Sequence, residues 1–118
     1  PGLEEVDAGG YRRRIVDRRG EHHWINVAAE QNALVLTVPE DPNIDLADVI
    51  ARVRRVFDLD ADSSVVDAQL ARDPRLAEVV RSSPGLRVPG AWDGFETAVR
   101  AVLGQQVSVD RATLLADA

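Results

Sequence analysis

Two adjacent side-chain amides, Gln105 and Gln106, stand between a helix that can close on Gly104 and a helix that Ser108 can open. Nothing in the packing pattern requires them. A carboxamide donates and accepts together, so such a pair can meet base edges or fill the gap left by an extruded nucleotide without demanding one sequence. A solvated interhelical turn would use the same residues, and residue types alone favour that plainer reading, because exposed polar turn residues are the norm.

Other constellations give less. His22-His23 could suggest a metal, but neighbours on a strand point to opposite faces and cannot readily chelate one ion. Asp58, Asp60 and Asp62 alternate as in a calcium loop, yet the required glycine and terminal bidentate glutamate are missing, leaving a solvated connection. Ser63-Ser64 and Ser82-Ser83 fall where helices start and stop, with no nucleophile elbow and no placed histidine. Gly9-Gly10 is too short to cradle phosphate and precedes a strand. Arg12-Arg13-Arg14 alternates sides, so only part of it can face one partner. No catalytic residue, metal or cofactor is expected in this chain.

The elements that must carry the amide pair are legible from periodicity. Tyr11–Asp17 and His22–Ala28 are rich in β-formers and flank Arg18-Arg19-Gly20-Glu21, whose glycine suits a hairpin. Ala33–Val38 is nearly continuous in apolar residues and predicts a strand covered on both faces, completing a three-stranded antiparallel meander. Leu46, Val49, Ile50, Val53, Val56 and Phe57 then recur at helical spacing behind Asp45 as N-cap, a helix fit to cover the sheet. Beyond Asp62 the pattern is helical throughout. Ser64 and Asp67 have capping-box spacing, Asp73-Pro74 reads as N-cap and first residue, and Ser82-Ser83-Pro84-Gly85 is a stop. Asp93 and Glu96 repeat the box before Phe95, Ala98, Val99, Val102 and Leu103, and Gly104 offers a left-handed C-cap. A last helix runs from Ser108 through Ala112, Leu114 and Leu115. The fold class is α+β, with a mixed domain over residues 1–62 and the start of an all-helical domain over 63–118.

Composition sets the limits. The 118 residues allow one domain or one and a part, and 45% apolar content with mixed charge favours a packed core over disorder. With no cysteine, disulfides and thiolate metal sites are excluded within this stretch. No apolar run reaches the roughly 20 residues of a bilayer span and the start lacks signal-peptide character, so a cytoplasmic protein is expected. The net charge of −6 weighs against a nucleic-acid binder working through its whole surface. All fourteen basic residues are arginine, which suits bidentate phosphate contacts and equally reflects a G- and C-rich genome.

Leu86-Arg87-Val88-Pro89-Gly90, then Phe95 and Glu96, then Ala101-Val102-Leu103-Gly104-Gln105-Gln106-Val107-Ser108-Val109 resemble the AlkA-type 3-methyladenine-DNA glycosylase II family of the helix-hairpin-helix superfamily. The likeness is specific from Pro84 to Val109 and looser over Arg54-Arg55-Val56-Phe57-Asp58-Leu59 and the strands before it. The resemblance implies a mixed α/β opening domain followed by a helical body, with the turn at Gln105-Gln106 entering the DNA minor groove. Gln106 would be the wedge that replaces the flipped nucleotide and Gln105 would lie at the mouth of the base pocket. Gly104, Val107 and Ser108 would complete the DNA-contacting turn. Some members carry leucine where Gln106 stands, so this wedge would be a polar amide.

The resemblance also implies what to expect beyond the chain: the helix-hairpin-helix and the catalytic Asp after Ala118, and the family's first strand and helix before Pro1. A fragment so bounded is expected to be inactive alone. Its parent would excise alkylated bases from double-stranded DNA as a monomer, without cofactor or membrane. The alternatives are a non-catalytic DNA- or protein-binding module on the same scaffold, or a fusion carrying an alkyl-transfer or regulatory domain before Pro1.

Overall fold

A computed structural model describes residues 3–105. Four strands, β1 (Glu4–Asp7), β2 (Gly10–Val16), β3 (His22–Glu30) and β4 (Ala33–Thr37), precede four helices: α1 (Leu46–Val56), α2 (Ser63–Leu70), α3 (Pro74–Ser82) and α4 (Gly94–Gly104). The strands form an antiparallel meander in the order β1-β2-β3-β4. The α+β class expected from periodicity is observed. The described residues fall into two compact units: 3–50 with 94–105, and 51–93. Helix α1 runs through the division between them.

The sheet has one strand more than the sequence pattern suggests. Glu4-Glu5-Val6-Asp7 has poor β propensity, but Glu4 pairs with Arg13 and Glu5 with Arg12, so opposite charges face each other across the ladder. The β2–β3 hairpin closes through Gly20 at φ +84°, the left-handed conformation for which glycine was expected there. Strand β4 corrects a second expectation. It lies at the sheet edge rather than covered on both faces, and its burial alternates, with Val35 exposed. An antiparallel sheet with one covered face needs only alternate residues inward.

In the first unit, Ile15, Ile25, Val27, Ile44 and Val49 are buried. Ile15 and Ile25 come from facing strands two register positions apart, on the same face, since Arg13 opposes Ile25 and Ile15 opposes His23. Burying a side chain as completely as Ile25 contributes about 1.5–3 kcal/mol. The α1 stripe is narrower than its spacing implies: Val49 and Val53 are buried, four residues apart, while Leu46 and Ile50 are exposed. Asp45 caps α1 as expected, accepting from the Asp48 N–H at 3.1 Å.

The second unit is held by local polar contacts. Asp62, not Ser64, is the N-cap of α2, accepting from the N–H groups of Ser64 and Val65 and from the Ser64 hydroxyl. The expected Ser64–Asp67 box is therefore absent, because Asp62 already satisfies those donors and the Asp67 carboxylate accepts the Gly85 N–H at 2.7 Å instead. Asp73 and Pro74 begin α3 as predicted. No helix is long and apolar enough to cross a membrane among the described residues.

Candidate nucleic-acid interface

Of the residues that the resemblance assigns to DNA, Gly104 and Gln105 stand at the end of α4. Helix α4 is tied to the sheet by an ion network built on Arg13, a cation on the sheet's inward face that is 4% exposed. Arg13 donates through Nη1 to Glu4 at 3.1 Å and through Nη2 to Glu96 in the first turn of α4. Arg100, one turn further along, donates to Glu96 at 2.9 Å and to Glu4 at 3.0 Å. Tyr11 adds its hydroxyl, which donates to Glu4 at 2.9 Å. Two arginines and two carboxylates thus link β1, β2 and α4.

Burial works against the charge on Arg13, but hydrogen bonding to Glu96 and Tyr11 outweighs it and raises the guanidinium pKa. The Tyr11 phenol is pushed up to about 12, mainly by burial, with Arg13 pulling it back and Glu4 pushing it further. Glu96 thus has a task that its capping-box spacing does not reveal. Residues 83 apart in sequence meet here, and no local signal announces it.

Gly104 is the last residue of α4 and does not adopt a positive φ. The expected left-handed cap at Gly104 is thus not formed, because the residue remains helical. Gln105 follows in an exposed turn. Gln106, Val107 and Ser108 lie outside the described residues, as does the helix expected from Ser108. The apolar stripe of α4 is only partly covered: Val99 and Leu103 are half-buried, whereas Phe95 and Val102 are 81% and 66% exposed.

The stretch before α4 has a structural explanation. Arg87 reaches back past the end of α1 and donates to the carbonyls of Asp58 and Ala61. There Asp58 adopts φ +50° and the N–H of Leu59 bonds to the Arg54 carbonyl. The Gly90 N–H donates to the Val56 carbonyl at 3.0 Å, and a Cβ on Gly90 would stand 2.3 Å from the Arg55 carbonyl oxygen. Arg52 completes this strap, donating to the Trp92 carbonyl at 3.2 Å with its guanidinium 5.6 Å from the indole centre. Leu86-Arg87-Val88-Pro89-Gly90 is therefore a buttress on the end of α1. Asp58, Asp60 and Asp62 each have a local role: Asp60 pairs with Arg54, and the other two serve the turn and the cap.

A second cluster escaped the sequence reading. His23 faces Asp17 Oδ2 at 3.2 Å and Asp41 Oδ2 at 4.0 Å through Nε2. Burial pushes the Asp17 carboxyl up, but the N–H groups of Glu21 and Arg19 and the His23 ring hold it below the usual carboxylate range. Asp41 is held low chiefly by the backbone N–H and side-chain amide of Asn43. The two histidines do diverge, since His22 is exposed, but Asp17 and Asp41 come from outside the strand, where inspection of the His-His pair cannot find them.

A family model described as the AlkA N-terminal domain matches residues 1–93. Over 113 residues, 96% of the chain, the sequence is 42% identical to a protein named probable bifunctional transcriptional activator/DNA repair enzyme AlkA from Mycobacterium tuberculosis. It is 42% identical over 69 residues to DNA-3-methyladenine glycosylase 2 of Escherichia coli, a match covering 58% of the chain. The chain spans only 23% and 22% of the lengths of these relatives. A solved structure described as MBOgg1 in complex with a low-affinity DNA ligand superposes with a TM-score of 0.58 at 19% identity, over 96% of this chain and 46% of that one. At that identity the likeness is one of fold.

Proposed function

Because this chain belongs to the AlkA N-terminal domain family, we propose that it is the front part of a DNA glycosylase that excises alkylated bases from duplex DNA. The observation that carries the proposal is the likeness, running nearly the length of the chain, to a relative named as a DNA repair enzyme. The structure supports it mechanically. The amide turn follows a helix clamped to a sheet by a largely buried ion network, and a side chain that replaces an extruded nucleotide needs a stiff mounting.

In this reading Gln106 fills the vacated space in the DNA stack, Gln105 borders the base pocket, and Gly104, Val107 and Ser108 line the contact. A cationic alkylated purine is a good leaving group and a good π partner, so flipping it into an aromatic pocket favours both binding and cleavage. The carboxylate that stabilises the developing sugar cation or activates water comes from the part of the enzyme beyond this chain. Phe95 and Val102 then form a surface for that part to cover. The enzyme works as a cytoplasmic monomer, with the DNA-facing positive charge supplied mainly by its remaining helices.

Release of free methylated purines from alkylated duplex DNA by the longer protein tests the proposal. The net charge of −6 favours a second reading, a scaffold without chemistry that binds a protein partner. A glycine-rich hairpin followed by an aspartate in the coding sequence after Ala118 separates the two, since only the enzyme requires both.

A further inference from the structure

We propose that Asp17, His23 and Asp41 form a binding site for a divalent transition-metal ion of the zinc or cobalt type. Their ligand atoms lie within 4.8 Å of one another. Each carboxylate spends one oxygen on its own turn: Asp17 Oδ1 accepts from the N–H groups of Arg19 and Glu21, both at 2.8 Å. Asp41 Oδ1 accepts from the N–H of Asn43 at 2.8 Å and from its side-chain amide at 2.7 Å. The Oδ2 atoms are left turned toward one imidazole nitrogen.

That nitrogen can carry one proton and so satisfy one carboxylate. Asp17 Oδ2, on a side chain only 1% exposed, takes the 3.2 Å position, while Asp41 Oδ2 stands at 4.0 Å, beyond hydrogen-bond reach. A divalent ion satisfies all three groups at once. With bonds of about 2.1 Å, tetrahedral geometry places ligand atoms about 3.4 Å apart. Asp17 and His23 already stand near that separation, and the half-buried Asp41 has less than about 1 Å to close toward His23. One imidazole and two carboxylates suit zinc or cobalt, with water completing the shell. The ion would replace any proton on Nε2 and join the β2–β3 hairpin to the loop that leads into α1. Its role is structural.

Calorimetric titration of the chain with Zn²⁺ and absorption spectroscopy with Co²⁺ test the site. Saturable binding of one ion per chain is expected, weakened at least about tenfold in H23Q and D41N and unchanged in H22Q. In D41N the amide oxygen can still accept from Asn43, so this variant keeps the turn if H23Q fails to fold. Absence of saturable binding in the folded chain overturns the proposal. So does binding that survives D41N at full affinity, or an equal loss in H22Q, which would mark ordinary surface histidine contacts. None of these outcomes bears on base excision, so the site and the glycosylase reading stand or fall separately.

Discussion

Replacing Arg13 by methionine probes the clamp on α4, and its neighbour Arg12 provides a control on the same strand. The Arg13 side chain is 4% exposed and its partners Glu4 and Glu96 are 31% and 15% exposed. Breaking a buried ion pair from one side typically costs about 3–5 kcal/mol, because the stranded charges cannot regain full hydration. Here Arg100 remains beside both carboxylates and Tyr11 still donates to Glu4, which moves the expected loss to about 3 kcal/mol. Arg12 pairs with Glu5 at 3.6 Å with both side chains more than 40% exposed, a contact worth about 0–1 kcal/mol. Its guanidinium also lies 5.2 Å from the Trp24 ring centre, adding about 0.5–1 kcal/mol. R12M should therefore cost about 1 kcal/mol, some 2 kcal/mol less than R13M. Urea unfolding followed by circular dichroism, with equal slopes for the two variants, measures the difference. Equal losses would refute the view that this network, rather than general strand charge, anchors α4.

Three further outcomes are expected. G90A should lose about 1–3 kcal/mol of stability, because its Cβ would meet a backbone oxygen that cannot swing away; chemical denaturation checks it, and a neutral result would mean the strap moves freely. Tyr11 is the single tyrosine, so phenolate absorbance reports it directly, with an expected midpoint near 12. A folded pKa raised from about 10 means this contribution, on the order of 2–3 kcal/mol, is complete below pH 10 and lost as pH rises through 12. A midpoint near 10 in the folded chain would contradict the burial. In the longer protein, Q106A should weaken binding to abasic-site duplex by about 1–3 kcal/mol in a competition assay, and unchanged affinity would remove Gln106 from the wedge.

What the sequence discloses is mostly local. The hairpin at Gly20, the caps at Asp45 and Asp73 and the existence of α1 to α4 follow from turn chemistry and period. Strand β1 was hidden because Glu4 and Glu5 are poor strand formers in isolation, and it forms through its cross-strand pairing with Arg12 and Arg13. The capping-box spacing of Ser64–Asp67 misled for a related reason, and that of Asp93–Glu96 did not disclose the long-range partners of Glu96. Spacing shows which carboxylate could cap, but Asp67 is bound to Gly85, and Glu96 to Arg13 and Arg100. The role of Arg87 and Gly90 was equally illegible, since it depends on the end of α1 passing close by. For the candidate DNA-facing turn the balance is reversed. Gln105 and Gln106 stood out because packing gave them no task, and their proposed role rests on the resemblance of the motif around them.

The most direct test is the time course of free base released from methylated duplex DNA by the longer protein, resolved chromatographically. The account predicts that alkylated purines appear while the sugar–phosphate strand stays intact. Tight binding of the same DNA by well-folded protein with no base released would contradict it and leave the scaffold as a binding module.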